Sequence, residues 1–176
     1  MDKLQKDDVP YGDDWDSAAV VAGWAKVADQ KRPWRSQIRD HIAGIVATLP
    51  QRARVLELGS GPGFLAHRVL DRCPSIEGYT LLDFSEHMLG LSRERLVAFP
   101  AATFVLGSFK SEDWTRHVEG RFDCVLAMQS VHELHGTSGT QHDCTNRSTK
   151  FSPFLDSSRS VTTFPSTTRR RARHST

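Results

Sequence analysis

Apolar residues recur along this chain with two periods, and the switch between them divides it. From Trp15 the spacing is helical: Val20, Trp24, Val27 and Ala28 fall on one face. Lys31-Arg32-Pro33 breaks that stripe, because proline has no N–H to donate and its ring clashes with the preceding turn. A second helix is predicted after Ser36, read as its N-cap. Ile38, Ile42, Ile45, Val46 and Leu49 form its apolar face, and Pro50 closes it.

The period then changes. Val55-Leu56-Glu57-Leu58 is a short, mostly apolar run that ends in glycines and reads as a buried strand. Phe64 to Cys73 is helical, with Ala66, Val69, Leu70 and Cys73 aligned and Pro74 after them. Tyr79 to Asp83 is a second strand. Ser85 is placed to cap a helix carrying Met88, Leu89, Leu96 and Val97. Thr103 to Phe109 and Phe122 to Met128 are the third and fourth strands. Strands alternating with helices of this length predict an α/β fold with a parallel sheet and right-handed crossovers.

Four segments follow: a loose polar arm over 1–14, a helical cap over 15–50, an α/β domain over 51–135, and a tail over 136–176. The tail is close to two-fifths serine and threonine, has no glutamate, and ends in "TTRRRARHST". It shows neither strand alternation nor a helical stripe, so disorder is expected there.

Composition narrows the picture only a little. The chain has 176 residues and a formal net charge of +2, which points to neither nucleic acid nor membrane as a partner. "RRRAR", Arg169 to Arg173, is read as incidental. The first residues, "MDKLQKDDVP", lack the apolar centre of a secretory signal. No apolar run reaches the roughly 18 residues that span a bilayer. Three cysteines without metal-type spacing suggest reduced thiols and a cytoplasmic protein.

Chemistry concentrates in "VLELGSGPGF", Val55 to Phe64. A dinucleotide fingerprint needs a small residue at position 64, where Phe64 stands. The observed pattern is E-x-G-x-G-x-G, through Glu57, Gly59, Gly61 and Gly63. A pyrophosphate seeks N–H donors at a helix start, yet Pro62 removes one and Glu57 adds negative charge. The turn therefore suits a cationic, phosphate-free ligand such as S-adenosylmethionine (SAM). Asp83, 20 positions after Gly63 at the end of the second strand, is placed to accept from both ribose hydroxyls. Phe84 and Met88 are candidates to cover the adenine.

On "VLELGSGPGF", "YTLLDFSEHML", "FVLGSF" and "FDCVLAMQSVHEL" the chain resembles the class I SAM-dependent methyltransferases. The resemblance implies a Rossmann-like three-layer sandwich, with strands 3-2-1-4 present and the two N-terminal helices covering the site. It also implies that Glu57, Gly59, Gly61 and Gly63 surround the methionine end of SAM, and that Asp83 binds the ribose. Gly107 and Ser108 would lie by the adenine, Ser108 replacing the acid that relatives commonly carry. Met128 and Gln129 would lie near the methyl group.

Methyl transfer needs a base only if the nucleophile carries a proton. His132 and His135 in "QSVHELH" are the candidates, as base or orienting group; the alternative reading is two surface histidines. Their spacing of three fails the H-E-x-x-H zinc pattern, so no metal is expected. A small-molecule acceptor is the expected substrate. Two other readings stay open: a SAM-binding module or inactive fragment without turnover, and a nicotinamide-dependent oxidoreductase, which Phe64 and Pro62 disfavour.

Family members continue with further strands, and nothing after His135 resembles them. That predicts a truncated or frameshifted chain whose strand 122–128 is left as a sheet edge, open to self-association.

Overall fold

The computed structural model describes residues 14–109, 114–128, 130 and 161–164. Helix α1 (Ala18–Lys31) begins at Ser17, whose side chain accepts from the Val20 N–H. Helix α2 (Trp34–Val46) starts at once after Pro33. Ser36 is therefore inside the helix and not its cap; its hydroxyl donates to the Pro33 carbonyl at 3.0 Å. The stripe on α1 is also shifted. Val21 and Ala28 are buried, and Val20 is 38% exposed.

Strand β1 (Arg54–Leu58) leads through the glycine turn into α3 (Phe64–Arg72). Strand β2 (Gly78–Asp83) leads into α4 (Glu86–Arg95), capped by Ser85. Strand β3 (Ala102–Leu106), a 3₁₀ turn (Trp114–His117) and β4 (Cys124–Met128) follow. Val97, expected on the inner face of α4, lies beyond the helix and is exposed.

The sheet has the expected 3-2-1-4 order and one strand more. β5 (Val161–Phe164) pairs in parallel with β4, giving β3-β2-β1-β4-β5. This corrects two expectations. Residues 161–164 of the tail form a strand, and β4 is an interior strand with partners on both sides, so the edge expected to drive self-association through 122–128 is covered. The physical reason is local: Val161, Thr162 and Thr163 are β-branched and Phe164 is aromatic, which suits a pleated strand even within a serine- and threonine-rich context. The rest of 136–176 lies outside the described residues.

Alternation along each strand builds two cores. Val55, Tyr79, Leu81, Cys124 and Leu126 face α2, α3 and α4. Leu56, Leu58, Leu82, Val125 and Ala127 face the opposite side, against Trp114, Val118 and Phe122. Among the described residues no helix is long and apolar enough to cross a membrane.

Candidate functional site

β1 lies between β2 and β4, so the winding of the sheet reverses at its carboxyl end. Crevices at such reversals are the usual ligand sites of open α/β sheets. The glycine turn sits there. Gly59, Gly61 and Gly63 have φ of +63°, +56° and +74°, the left-handed region that side chains resist. Two of the three are also closely packed. A Cβ on Gly59 would stand 2.4 Å from Ser130 Cβ and 3.1 Å from Phe109, and one on Gly63 would stand 3.3 Å from Ser92 Cα. Gly61 differs: nothing lies within 4 Å of its Cβ position. Its φ is fixed by the turn and its outer side is open.

Neighbouring elements hold the turn in place. The N–H groups of Gly59 and Ser60 both donate to the Leu82 carbonyl, at 2.8 and 3.2 Å. Ser92 donates to the Gly61 carbonyl at 2.8 Å, and Arg95 donates to the Pro62 carbonyl. Ser130 donates to the Leu58 carbonyl at 2.6 Å. Sequence reasoning missed Ser92, Arg95 and Ser130. The first two carried a signal, since positions 88, 92 and 95 share one helix face and polar residues there interrupt an inward stripe. Ser130 carried none.

Asp83 ends β2 beside this turn and is 5% exposed. One carboxylate oxygen accepts from the Gly61 N–H at 2.7 Å, the other from the Ser85 N–H at 3.0 Å. Burial raises its pKa above the ordinary carboxylate value, and backbone N–H donors, Ser85 first, pull it back. A carboxylate has about four lone-pair sites, more than the backbone donors Ser85, Gly61 and Phe84 fill, so acceptor capacity remains for a ligand hydroxyl. Ser60, within the turn, is 7% exposed, and its hydroxyl oxygen has no hydrogen-bond partner among the described residues.

Glu57 is placed differently from the sequence reading. It is 2% exposed, on the helix-facing side of β1, and accepts from the Tyr79 hydroxyl at 2.8 Å. Burial pushes its pKa up to about 8; the Tyr79 hydrogen bond opposes that rise and Asp83 adds to it. Burial therefore favours the uncharged form of Glu57, against the negative charge that the sequence reading gave it.

The Gly107 N–H donates to the Asp83 carbonyl at 2.9 Å, which brings the end of β3 to the same crevice. Ser108 is buried. Phe84 is half-buried, Met88 is buried on α4, and Met128 ends β4. Gln129, His132 and His135 lie outside the described residues. From the N-terminal side, Ser85 donates to the Trp15 carbonyl at 2.8 Å, and Trp15 meets Trp24 edge to face. This places the start of the cap two residues from Asp83.

Residues 55–142, half of the chain, match the family model of a methyltransferase domain, and the protein belongs to that family. No curated protein matches the sequence. Among solved structures, a Methanococcus maripaludis protein described as an S-adenosyl-L-methionine-dependent methyltransferase superposes with a TM-score of 0.61 at 16% identity, over 93% of this chain and 66% of that one. A SAM-dependent methyltransferase from Thiobacillus denitrificans, solved with S-adenosyl-L-homocysteine, gives 0.52 at 18%, over 71% and 46%. The precorrin-6y C5,15-methyltransferase of Geobacter metallireducens gives 0.51 at 14%, over 72% and 61%. At these identities the likeness is one of fold. The chain spans less than two-thirds of the length of each.

Proposed function

We propose that the protein is a SAM-dependent methyltransferase acting on a small-molecule acceptor. The observation that carries this reading is the single bond between Asp83 and the Gly61 N–H, 2.7 Å long, beside the open side of Gly61. It joins the acid after β2 to the middle glycine of the turn, where a ribose and an amino-acid chain would lie side by side. The residues present fit the cofactor. Gly61 leaves room for close approach, Asp83 keeps acceptor capacity for a ribose hydroxyl, and the Ser60 hydroxyl lacks a partner among the described residues.

In this reading Gly59, Gly61 and Gly63 shape the methionine end, Asp83 orients the ribose, and Phe84, Met88, Gly107 and Ser108 border the adenine. Met128 and Gln129 border the methyl group. Glu57, two residues before Gly59, is held by the Tyr79 hydroxyl and joins the glycines at the methionine end. When bound, SAM supplies a methyl group on a sulfonium, a good leaving group, so the protein's part is mainly alignment and exclusion of water. His132 and His135, which follow β4 in sequence, are the proposed groups to take a proton from an acceptor that carries one. Buried free thiols at Cys73 and Cys124 support a reducing compartment such as the cytoplasm.

Binding of SAM without turnover is the second reading. Calorimetry with SAM, S-adenosylhomocysteine and NAD tests the cofactor. SAM and S-adenosylhomocysteine are expected to bind, with Asp83→Asn weakening both by about tenfold, the worth of one or two lost hydrogen bonds. Binding of NAD without SAM would refute the proposal. A methyl-transfer assay on the full chain separates turnover from binding.

A further inference from the structure

Arg39 of α2 and Arg95 of α4 both stand over the ring of Phe64, the first residue of α3, at 5.3 and 4.0 Å from its centroid. A cavity of about 400 Å³ opens around this stack, and its wall continues through Ser36, Asp40, His67 and Arg68.

Positive charge there exceeds negative. Both oxygens of Asp29 bind Arg39. Arg68 pairs with Asp40 at 2.5 Å and reaches Asp71 at 3.7 Å, while Arg72 donates to the backbone carbonyl of Asp40. Arg35, one turn before Arg39, is 9% exposed and stands over Trp24, and its Nε has no hydrogen-bond partner among the described residues. Arg95 forms no ion pair among the described residues and spends its hydrogen bond on the Pro62 carbonyl. In the lining, the guanidinium groups of Arg39, Arg68 and Arg95 meet the carboxylate of Asp40; with Asp29 holding Arg39 and Asp40 holding Arg68, Arg95 carries the unbalanced charge. Glu94 and Lys26 border a separate cavity with Arg95, on the α1 side, and offset one another. Burial lowers the pKa of Arg95, with Arg39 adding to the effect, and burial lowers that of Arg35 to about 10.

Holding like charges over one aromatic ring orients their N–H groups before any ligand arrives, and the planar fork of arginine matches an oxyanion. We propose that this cavity is a binding site for the carboxylate or phosphate group of a small anionic ligand, held by Arg95 and Arg39 with Phe64 as platform. Two sources carry that chemistry: the amino-acid carboxylate of the cofactor and an acidic group on the acceptor. Anion binding stands on the arginine cluster alone, whereas the choice between these two sources rests on the methyltransferase reading.

The test is thermal denaturation and calorimetry of the full chain with sodium phosphate and sodium acetate, chloride holding ionic strength constant. A saturable rise in the denaturation midpoint is expected for the wild type. Arg95→Met keeps a stem over Phe64 and loses the charge, and is expected to weaken binding by at least about tenfold. Arg95→Lys, the variant to use if Arg95→Met does not fold, keeps charge without the fork and is expected to weaken it by about threefold. Arg52→Gln, at an exposed pair with Glu77, leaves it unchanged. No saturable effect beyond chloride, or equal effects in wild type and both Arg95 variants, overturns the site. Repeating the titration in saturating SAM separates the sources. Loss of the phosphate effect assigns the site to the cofactor carboxylate, and its persistence assigns it to a second ligand. Because the first titration contains no SAM, failure of phosphate binding and failure of SAM binding are read separately.

Discussion

The Ser92 hydroxyl donates to the carbonyl oxygen of Gly61 at 2.8 Å, while the Ser92 Cα lies 3.3 Å from the Cβ position of Gly63. One small residue on α4 therefore fixes both the direction of a peptide in the turn and the closeness of its helix. Ser92→Ala keeps the fit and removes the bond. It is expected to cost about 1–2 kcal/mol in urea unfolding, since a carbonyl beneath the helix loses its donor. By calorimetry SAM should bind about three- to tenfold more weakly, because the Gly61 peptide is then free to turn.

The three glycines of the turn should respond differently to alanine. Gly61→Ala carries only the left-handed backbone cost, about 1–2 kcal/mol, because its Cβ meets nothing. Its effect on SAM binding is expected to be larger than its effect on folding, with affinity falling by at least about tenfold. Gly59→Ala adds a collision with Ser130 at 2.4 Å to the same strain, and should lower stability by more than about 3 kcal/mol. Comparing unfolding midpoints with dissociation constants for the pair checks this. Equal loss of both quantities in the two variants would remove Gly61 from the ligand surface.

Glu57 gives the fold a dependence on pH. Its carboxyl titrates at about 8 in the folded protein and near 4 when unfolded. The folded state keeps the proton over that interval. Stabilisation is complete below about pH 4 and is lost as pH rises toward 8, at up to about 1.4 kcal/mol per pH unit. Glu57→Gln cannot ionise, so the slope of stability between pH 6 and 8 should become shallower and the variant should gain on the wild type as pH rises. Burial raises Asp83 too, so Asp83 is the other carboxyl to which a residual slope belongs, whereas Tyr79, raised above its ordinary value near 10, stays protonated across this window. Urea titrations at a series of pH values decide the matter, and parallel slopes would show that Glu57 is ionised.

Removing residues 161–176 deletes β5 and frees the backbone groups of β4 that now pair with Val161–Phe164. The shortened chain should self-associate, because an unpaired, apolar interior strand becomes an edge. Light scattering at increasing concentration is the measurement, with the full chain as reference. A monodisperse shortened chain would show that β5 is dispensable for covering that edge.

Where a residue's place depended on period and local chemistry, the sequence was enough. The stripe of α2, the glycine turn and Asp83 all lie where the pattern put them. Contacts made across the chain were not legible. Ser92 reaches back 31 residues to Gly61, and Ser130 reaches 72 residues to Leu58; both positions follow from sheet order and helix seating. The burial of Glu57, which raises its pKa, was not legible because it depends on packing between strands, and the Tyr79 hydrogen bond that opposes it also comes from another strand. β5 was missed because four β-branched and aromatic residues give too short a signal against a serine- and threonine-rich background. Ser36 was misplaced as a cap because Pro33 with Trp34 already starts the helix.

Ser85 accepts from the Met88 N–H at 3.3 Å and donates to the Trp15 carbonyl at 2.8 Å. As a helix cap alone, the position would tolerate aspartate or asparagine as well as serine. An aspartate has acceptors but no proton to give, so it would cap α4 and release Trp15. The requirement at position 85 is for a side chain that both accepts and donates, which serine, threonine and asparagine meet and aspartate does not. This constraint comes from a residue 70 positions away and not from the helix that the hydroxyl begins.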